Sequence, residues 1–245
     1  MLEVENLHKR FAGFVAVDDL SLVLRQGESH AVIGPNGAGK TTLFNLISGH
    51  LKPDGGRVLF EGHSISGRPP HRIARLGLAR SFQHINIFPR LSLRANVQVA
   101  LIAHNSQHFD LLRRGDRLHW QPAEEVLDQV GLATAAGEPA GTLAYGQQKQ
   151  LELAIALATD PRLLLLDEPT AGMAPAETSA TIRLISKLKE EHRLTLFFTE
   201  HDMQMVFDLA ERISVLHQGR LIASGTPEEI RRDEQVRRIY LGKGD

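Results

Sequence analysis

Gly34-Pro35-Asn36-Gly37-Ala38-Gly39-Lys40-Thr41 is the stretch whose reading decides the fold, because it completes the pattern G-x-x-x-x-G-K-[ST]. Its glycines let the backbone curl until successive N–H groups point inward at a phosphate. Lys40 supplies a cation for β- and γ-phosphates, and the Thr41 hydroxyl is a hard oxygen ligand for Mg²⁺. Thr42 follows in the first turn of the expected helix. Upstream, Glu28–Ile33 reads as a short, largely apolar strand; downstream, Leu43, Leu46 and Ile47 fall at helical spacing. A helix starting at Lys40 aims its positive end at the phosphates. Residues 34–42 are therefore candidate nucleotide contacts.

At 245 residues the chain has the length of one large domain, or one domain carrying a subdomain. A hydrophobic content of 42% and a charged content of 23% suit a soluble globular protein. The net charge of −1 gives no basic field for nucleic acid or anionic lipid. Arginines cluster at Arg72, Arg75 and Arg80, at Arg113, Arg114 and Arg117, and at Arg231, Arg232, Arg237 and Arg238; solvated helix faces are the expectation for all three groups. With no cysteine, disulfides and thiolate metal sites are excluded. His104 and His108 have i,i+4 spacing but no accompanying ligand, so they read as solvated. The first ten residues alternate like a strand rather than a leader peptide, and no run approaches 18 consecutive apolar residues.

Working outward, Leu2–Leu7, Leu20–Leu24 and Arg57–Phe60 alternate as strands, with a turn signal at Pro53–Gly56. From about Ile73 to Leu157 the pattern is helical, with polar loops around residues 104–121. After Pro161, strand and helix alternate again. Leu163–Leu166 and Thr195–Thr199 are continuous apolar runs suited to strands buried on both faces, with a helix carrying Ile182, Ile185 and Leu188 between them. Ile213–Leu216 and Leu221–Ala223 flank a hairpin turn, and Thr226-Pro227-Glu228-Glu229 opens a capped helix. The architecture implied is a phosphate-loop α/β core, interrupted by a helical insertion, with a small β layer.

A phosphate loop needs a carboxylate on a partner strand. Asp167 and Glu168 follow four leucines where such a strand leaves the sheet. Asp167 is placed to hold Mg²⁺, usually through water. Glu168 is the candidate for polarising the attacking water, a role worth roughly 10²–10⁴ in rate. Thr199-Glu200-His201-Asp202 ends the next strand and puts His201 on the ligand-binding edge of the sheet, in reach of a γ-phosphate as a donor.

Together with Leu143-Ala144-Tyr145-Gly146-Gln147-Gln148, about twenty residues before Asp167, these segments make nearly the whole chain resemble the ATP-binding subunit of an ABC transporter. The resemblance implies ATP and Mg²⁺ as cofactors and a head-to-tail pair of ATPase subunits. Ala144, Tyr145, Gly146 and Gln147 would face the γ-phosphate held by the second subunit. It also makes Gln83 a metal and nucleotide contact, His201 the switch histidine, and Phe11, with Val17 nearby, the adenine-stacking position. The implied division is a core with its antiparallel β subdomain at about 1–83 and 158–235, a helical signature subdomain at about 84–157, and a tail at about 236–245. Transmembrane permease subunits and, indirectly, a substrate-binding protein would be the partners, with no nucleic acid. The location would be peripheral, on the cytoplasmic face of the cell membrane.

Ala79–His84, the Leu-Ala-Tyr-Gly signature, Glu200–Met203 and the ending Val236–Gly242 are similar to importers of branched-chain amino acids. The ending also resembles the ATPase of lipopolysaccharide export; urea or amide uptake, and a soluble ABC-type ATPase, are further alternatives. Two positions depart from the family. Ala144 stands where a serine is common, and Ala174 where an aspartate is expected after Glu168-Pro169-Thr170. Both bear on turnover at the site that this chain's signature would complete.

Overall fold

The computed structural model describes residues 1–81, 85–105 and 118–241. Gln83, His84, His108, Arg113, Arg114, Arg117 and Gly242 lie outside the described residues.

The strands are β1 (Leu2–Phe11), β2 (Phe14–Leu24), β3 (Ser29–Ile33), β4 (Gly55–Phe60), β5 (His63–Ser64), β6 (Leu78–Arg80), β7 (Leu163–Asp167), β8 (Thr195–Thr199), β9 (Arg212–His217) and β10 (Arg220–Gly225). They form an antiparallel sheet ordered β2-β1-β4-β5 and a larger sheet ordered β10-β9-β3-β8-β7-β6. In the larger sheet β9, β3, β8, β7 and β6 run parallel, and β10 returns antiparallel to β9. The α-helices of five or more residues are α1 (Lys40–Ile47), α2 (Pro70–Ala74), α3 (Leu93–His104), α4 (Trp120–Gln129), α5 (Tyr145–Leu157), α6 (Pro175–His192), α7 (Met203–Leu209) and α8 (Pro227–Arg232).

Strand alternation sorts the core into two layers. Ala31, Ile33, Leu164, Leu166, Leu196 and Phe198 face one way, into a cluster shared with α3 to α7. Val32, Leu163, Leu165 and Phe197 face the other way, onto α1 and the antiparallel sheet. Both faces are covered, which is why these strands read as unbroken apolar runs rather than as alternation. Phe44 of α1 stacks on Phe197 of β8 at 5.1 Å, tying the phosphate-loop helix to the sheet.

The α/β class, the antiparallel layer and the strand–helix alternation after Pro161 agree with the sequence reading. Two of the elements that differ bear on the site. Leu78–Arg80 falls inside the stretch read as helical, yet it is a strand paired with β7. Three residues are too few to display a period, and the pairing that makes them a strand comes from a segment more than eighty residues away. Consequently Arg80 does not sit on a solvated helix face: its side chain is only 6% exposed. Helix α7 was not expected; Asp202 caps it, accepting from the N–H of Gln204 at 2.8 Å. Among the described residues, no helix is long and apolar enough to cross a membrane.

His30 is buried in β3, its Nε2 2.8 Å from Ser214 Oγ and its ring edge-on to Phe197. Burial, helped by the nearby Arg212 charge, pushes its pKa down from 6.5 to about 4. Above pH 6.5 the ring is neutral in both folded and unfolded chains. Between pH 6.5 and 4 the unfolded chain takes up a proton that the folded chain refuses, so stability falls as pH falls. The loss attributable to this group is expected to reach about 3 kcal/mol by pH 4. Urea unfolding at pH 7 and pH 4.5 should show a smaller acid loss for His30→Phe than for the parent; equal losses would refute the assignment.

Candidate functional site

The carboxyl edge of the parallel sheet gathers three loops, those following β3, β7 and β8. After β3 the chain turns through Gly34 (φ +155°) and Gly39 (φ +105°). A Cβ on Gly34 would stand 2.2 Å from Leu216 O, and one on Gly39 would stand 2.5 Å from Ala16 O. Both glycines are thus demanded twice, by backbone angle and by the close approach of other backbone. Gly39 caps α1 without a side chain, and no acid stands in the first turn of the helix. The positive end of that helix is left to an external anion.

Lys40 folds back over the loop and donates to Gly34 O at 2.6 Å and to Pro35 O at 3.2 Å. Burial lowers its pKa from the ordinary lysine value, opposed by the Glu168 and Asp167 carboxylates. A partly desolvated cation whose hydrogen bonds, among the described residues, go to neutral carbonyls is well placed to exchange them for phosphate oxygens. Thr41 is exposed at the mouth.

Beside the loop lies a cavity of about 390 Å³, bounded by Phe11, Phe14, Ala16, residues 36–42 and Glu168. Phe11 and Phe14 form its apolar end. Val17, expected near Phe11 as a nucleotide contact, is fully buried in the core instead, and Phe14 and Ala16 line the cavity beside Phe11. Successive strand residues point to opposite faces, so a neighbour of a wall residue is turned into the core.

Asp167 ends β7 with both oxygens held. Oδ1 accepts from Thr199 Oγ1 at 2.8 Å, and Oδ2 accepts from Arg80 Nη2 at 2.9 Å. Glu168 then adopts φ +50°, unusual for a residue with a side chain, while its N–H donates to Thr199 O at 3.1 Å. That reversal takes the chain out of the sheet and brings Glu168 to the cavity. His201 Nε2 meets Glu168 Oε1 at 2.8 Å. Buried Glu200 braces the loops behind, accepting from Thr170 Oγ1 (2.6 Å), Thr170 N (2.9 Å) and His201 N (2.9 Å). Thr170, Thr199, Glu200 and Arg80 escaped the sequence reading. Their one signal was adjacency to Glu168, His201 and Gln83, and nothing in one dimension says which neighbours bond.

Gln83 lies outside the described residues. Ala144, Tyr145, Gly146 and Gln147 form the exposed N-terminus of α5 and do not line the phosphate-loop cavity of their own chain. They meet the loop after β7 instead. Tyr145 lies against Gly172, and the Glu177 carboxylate approaches Gly146. The same carboxylate accepts from Ala174 N–H at 3.1 Å, closing the start of α6.

Mg²⁺ fits the residues present. Thr41 and Asp167 are hard oxygen donors of the kind that binds it, and they flank a loop shaped for phosphate.

The model for the ABC transporter family matches residues 17–171, and that for the branched-chain amino acid ATP-binding cassette transporter matches residues 220–245. The chain is 42% identical to the high-affinity branched-chain amino acid transport ATP-binding protein BraF of Pseudomonas aeruginosa, covering 99% of this chain and 98% of that protein. It is 40% identical to LivG of Escherichia coli, of the same description, with the same coverage. The lipopolysaccharide export ATP-binding protein LptB of E. coli is 35% identical, over 99% of this chain and 97% of that one. Among solved structures, an ATP-binding cassette of an ABC transporter superposes with a TM-score of 0.87 at 31% identity, covering 99% of each chain. A dimeric cassette bound to ADP and phosphate superposes with a TM-score of 0.78 at 25% identity, over 93% of this chain and 99% of that one.

Ala144 occupies the N-cap of α5 in extended conformation but has no oxygen; only Gln147 reaches back, its Oε1 accepting from Ala144 N–H at 3.2 Å. Ala144→Ser should complete the cap and add about 1 kcal/mol, raising the unfolding midpoint by roughly 2–4 °C. Calorimetry checks this; an unchanged or lower midpoint would refute it.

Proposed function

We propose, because this chain belongs to the ABC transporter family of ATP-binding cassettes, that it is the ATPase subunit driving uptake of branched-chain or other hydrophobic amino acids. What supports the cargo is the pair of relatives at 40–42% identity together with the C-terminal match. Lipopolysaccharide export is less well supported, at 34–35%.

Adenine would lie at the Phe11 and Phe14 end of the cavity, and the phosphates would run along residues 34–42. Lys40 would leave the Gly34 and Pro35 carbonyls for phosphate oxygens, and the first-turn amides of α1 would close on the same group. Thr41 would hold Mg²⁺ directly and Asp167 through water, with Gln83 as a further oxygen donor. The bound ion would neutralise charge on the phosphates. Glu168 would orient the attacking water and accept its proton, steadied by His201 on the opposite oxygen.

Ala144, Tyr145, Gly146 and Gln147 would complete the site of a second ATPase subunit, identical or related. The observation that carries this is their exposure, away from their own chain's cavity but against the loop after β7. Nucleotide closure of the pair would move permease subunits, and these would receive cargo from a substrate-binding protein. The chain would thus work at the cytoplasmic face of the membrane. We retain the division into a core with β subdomain at about 1–83 and 158–235, a signature subdomain at 84–157 and a tail at 236–245.

Glu168→Gln should cut phosphate release by at least about 10²-fold while keeping ATP affinity, and should accumulate dimers in Mg-ATP on size-exclusion chromatography. Unchanged turnover would remove Glu168 from its role, and persistent monomers would count against the paired site. For the cargo, the complex isolated through this chain should contain a permease pair and support leucine uptake in vesicles. Co-isolation of lipid-export components would replace that reading.

A further inference from the structure

We propose that Arg80 is the positioning residue that sets Asp167 and Thr41 at a fixed separation, by clamping the Asp167 carboxylate to the face of α1 that begins with Thr41. The proposal rests on the reading above, in which Thr41 and Asp167 hold the divalent cation.

The guanidinium bonds in two directions at once. Nη2 donates to Asp167 Oδ2 at 2.9 Å, while Nη1 donates to Asn45 Oδ1 at 2.7 Å and to Ser48 Oγ at 2.8 Å. Ser48 is itself anchored, donating to Phe44 O at 2.7 Å, and the Phe44 ring lies under the guanidinium at 5.9 Å. Thr41 and Asn45 lie i, i+4 on α1, and Ser48, its C-cap residue, continues the same face at i+7. A rigid helix turn therefore links the Thr41 hydroxyl to the seat of Arg80, and Arg80 links that seat to Asp167.

Thr199 holds the other carboxylate oxygen from β8. The carboxylate is thus gripped from β8 on one side and from β6 and α1 on the other. The side chains of Arg80 and Asp167 are 6% and 3% exposed, so solvent does not screen the pair. A planar fork can span both partners; an ammonium on a flexible stem is a single point and cannot. Arg80 is also the last residue of β6, and the chain reaches Gln83 three residues later.

The test reads metal binding without turnover: Mn²⁺ titrated into the protein saturated with ADP, free Mn²⁺ being measured by electron paramagnetic resonance. Asp167→Asn, Arg80→Lys and the double variant Asn45→Ala with Ser48→Ala are compared with the parent. Arg80→Lys keeps the charge and removes the fork. It should weaken Mn²⁺ binding about tenfold or more, as loss of groups that orient metal ligands does. ADP affinity in EDTA should be unchanged, and the double variant should shift in the same direction.

If Asp167→Asn weakens Mn²⁺ binding but Arg80→Lys does not, Arg80 is merely structural and the site reading survives. If Asp167→Asn binds Mn²⁺ like the parent, the reading itself fails and the proposal falls with it. Should Arg80→Lys not fold, the double variant decides, and parental Mn²⁺ affinity there overturns the proposal.

Discussion

Three parallel strands held in register are the constraint on which this molecule depends. Ala31 pairs with Phe198, and Leu165 with Phe197, so β3, β8 and β7 end at the same edge. A slip by one residue would move every side chain of a strand to the opposite face. With both faces of the sheet buried, it would have to repack two close-packed layers at once. The phosphate loop, the Asp167–Glu168 pair and the Thr199–His201 segment therefore meet because their strands cannot stop anywhere else.

Charge is concentrated at this edge in a way a stable core would avoid. Lys40, Arg80, Asp167 and Glu200 are buried or nearly so, and Glu168 is largely covered. Removing one member of a buried pair costs several kcal/mol, whereas the intact pair adds little to stability. Their arrangement is better understood as preorganisation. Each carboxylate oxygen of Asp167 has a named donor, and Lys40 rests on carbonyls that a more strongly charged ligand can displace. The strained φ of Glu168 belongs to the same economy of form: one αL residue separates a carboxylate held in the sheet from one delivered to the cavity.

The signature segment obeys a different logic. Helix α5 packs one face into the core, through Leu151, Ala154 and Leu157, while its N-terminus stays at the surface beside Gly172 and Glu177. Gln147 reaches back to the N-cap N–H of Ala144, while the first-turn amides have no hydroxyl cap. Among the described residues, none of Ala144 to Gln147 lines the phosphate-loop cavity, so the amides at this end are left facing outward.

Local chemistry was legible in one dimension wherever a residue type is forced by its immediate neighbours. Gly34 and Gly39 need backbone angles that other residues avoid, four leucines before two acids mark a buried strand end, and Thr226 with Glu229 announces a helix start. Such features are decided within a few residues, so the class of fold, the phosphate loop and the acidic pair were determined by sequence. What only the tertiary structure decided are relations between distant segments: that Leu78–Arg80 is a strand, that Arg80 grips Asp167 and α1, that Val17 faces the core while Phe14 and Ala16 line the cavity, and that Glu200 braces Thr170. Pairing and facing energies depend on which surfaces the folded chain brings together, and a linear pattern carries no term for that.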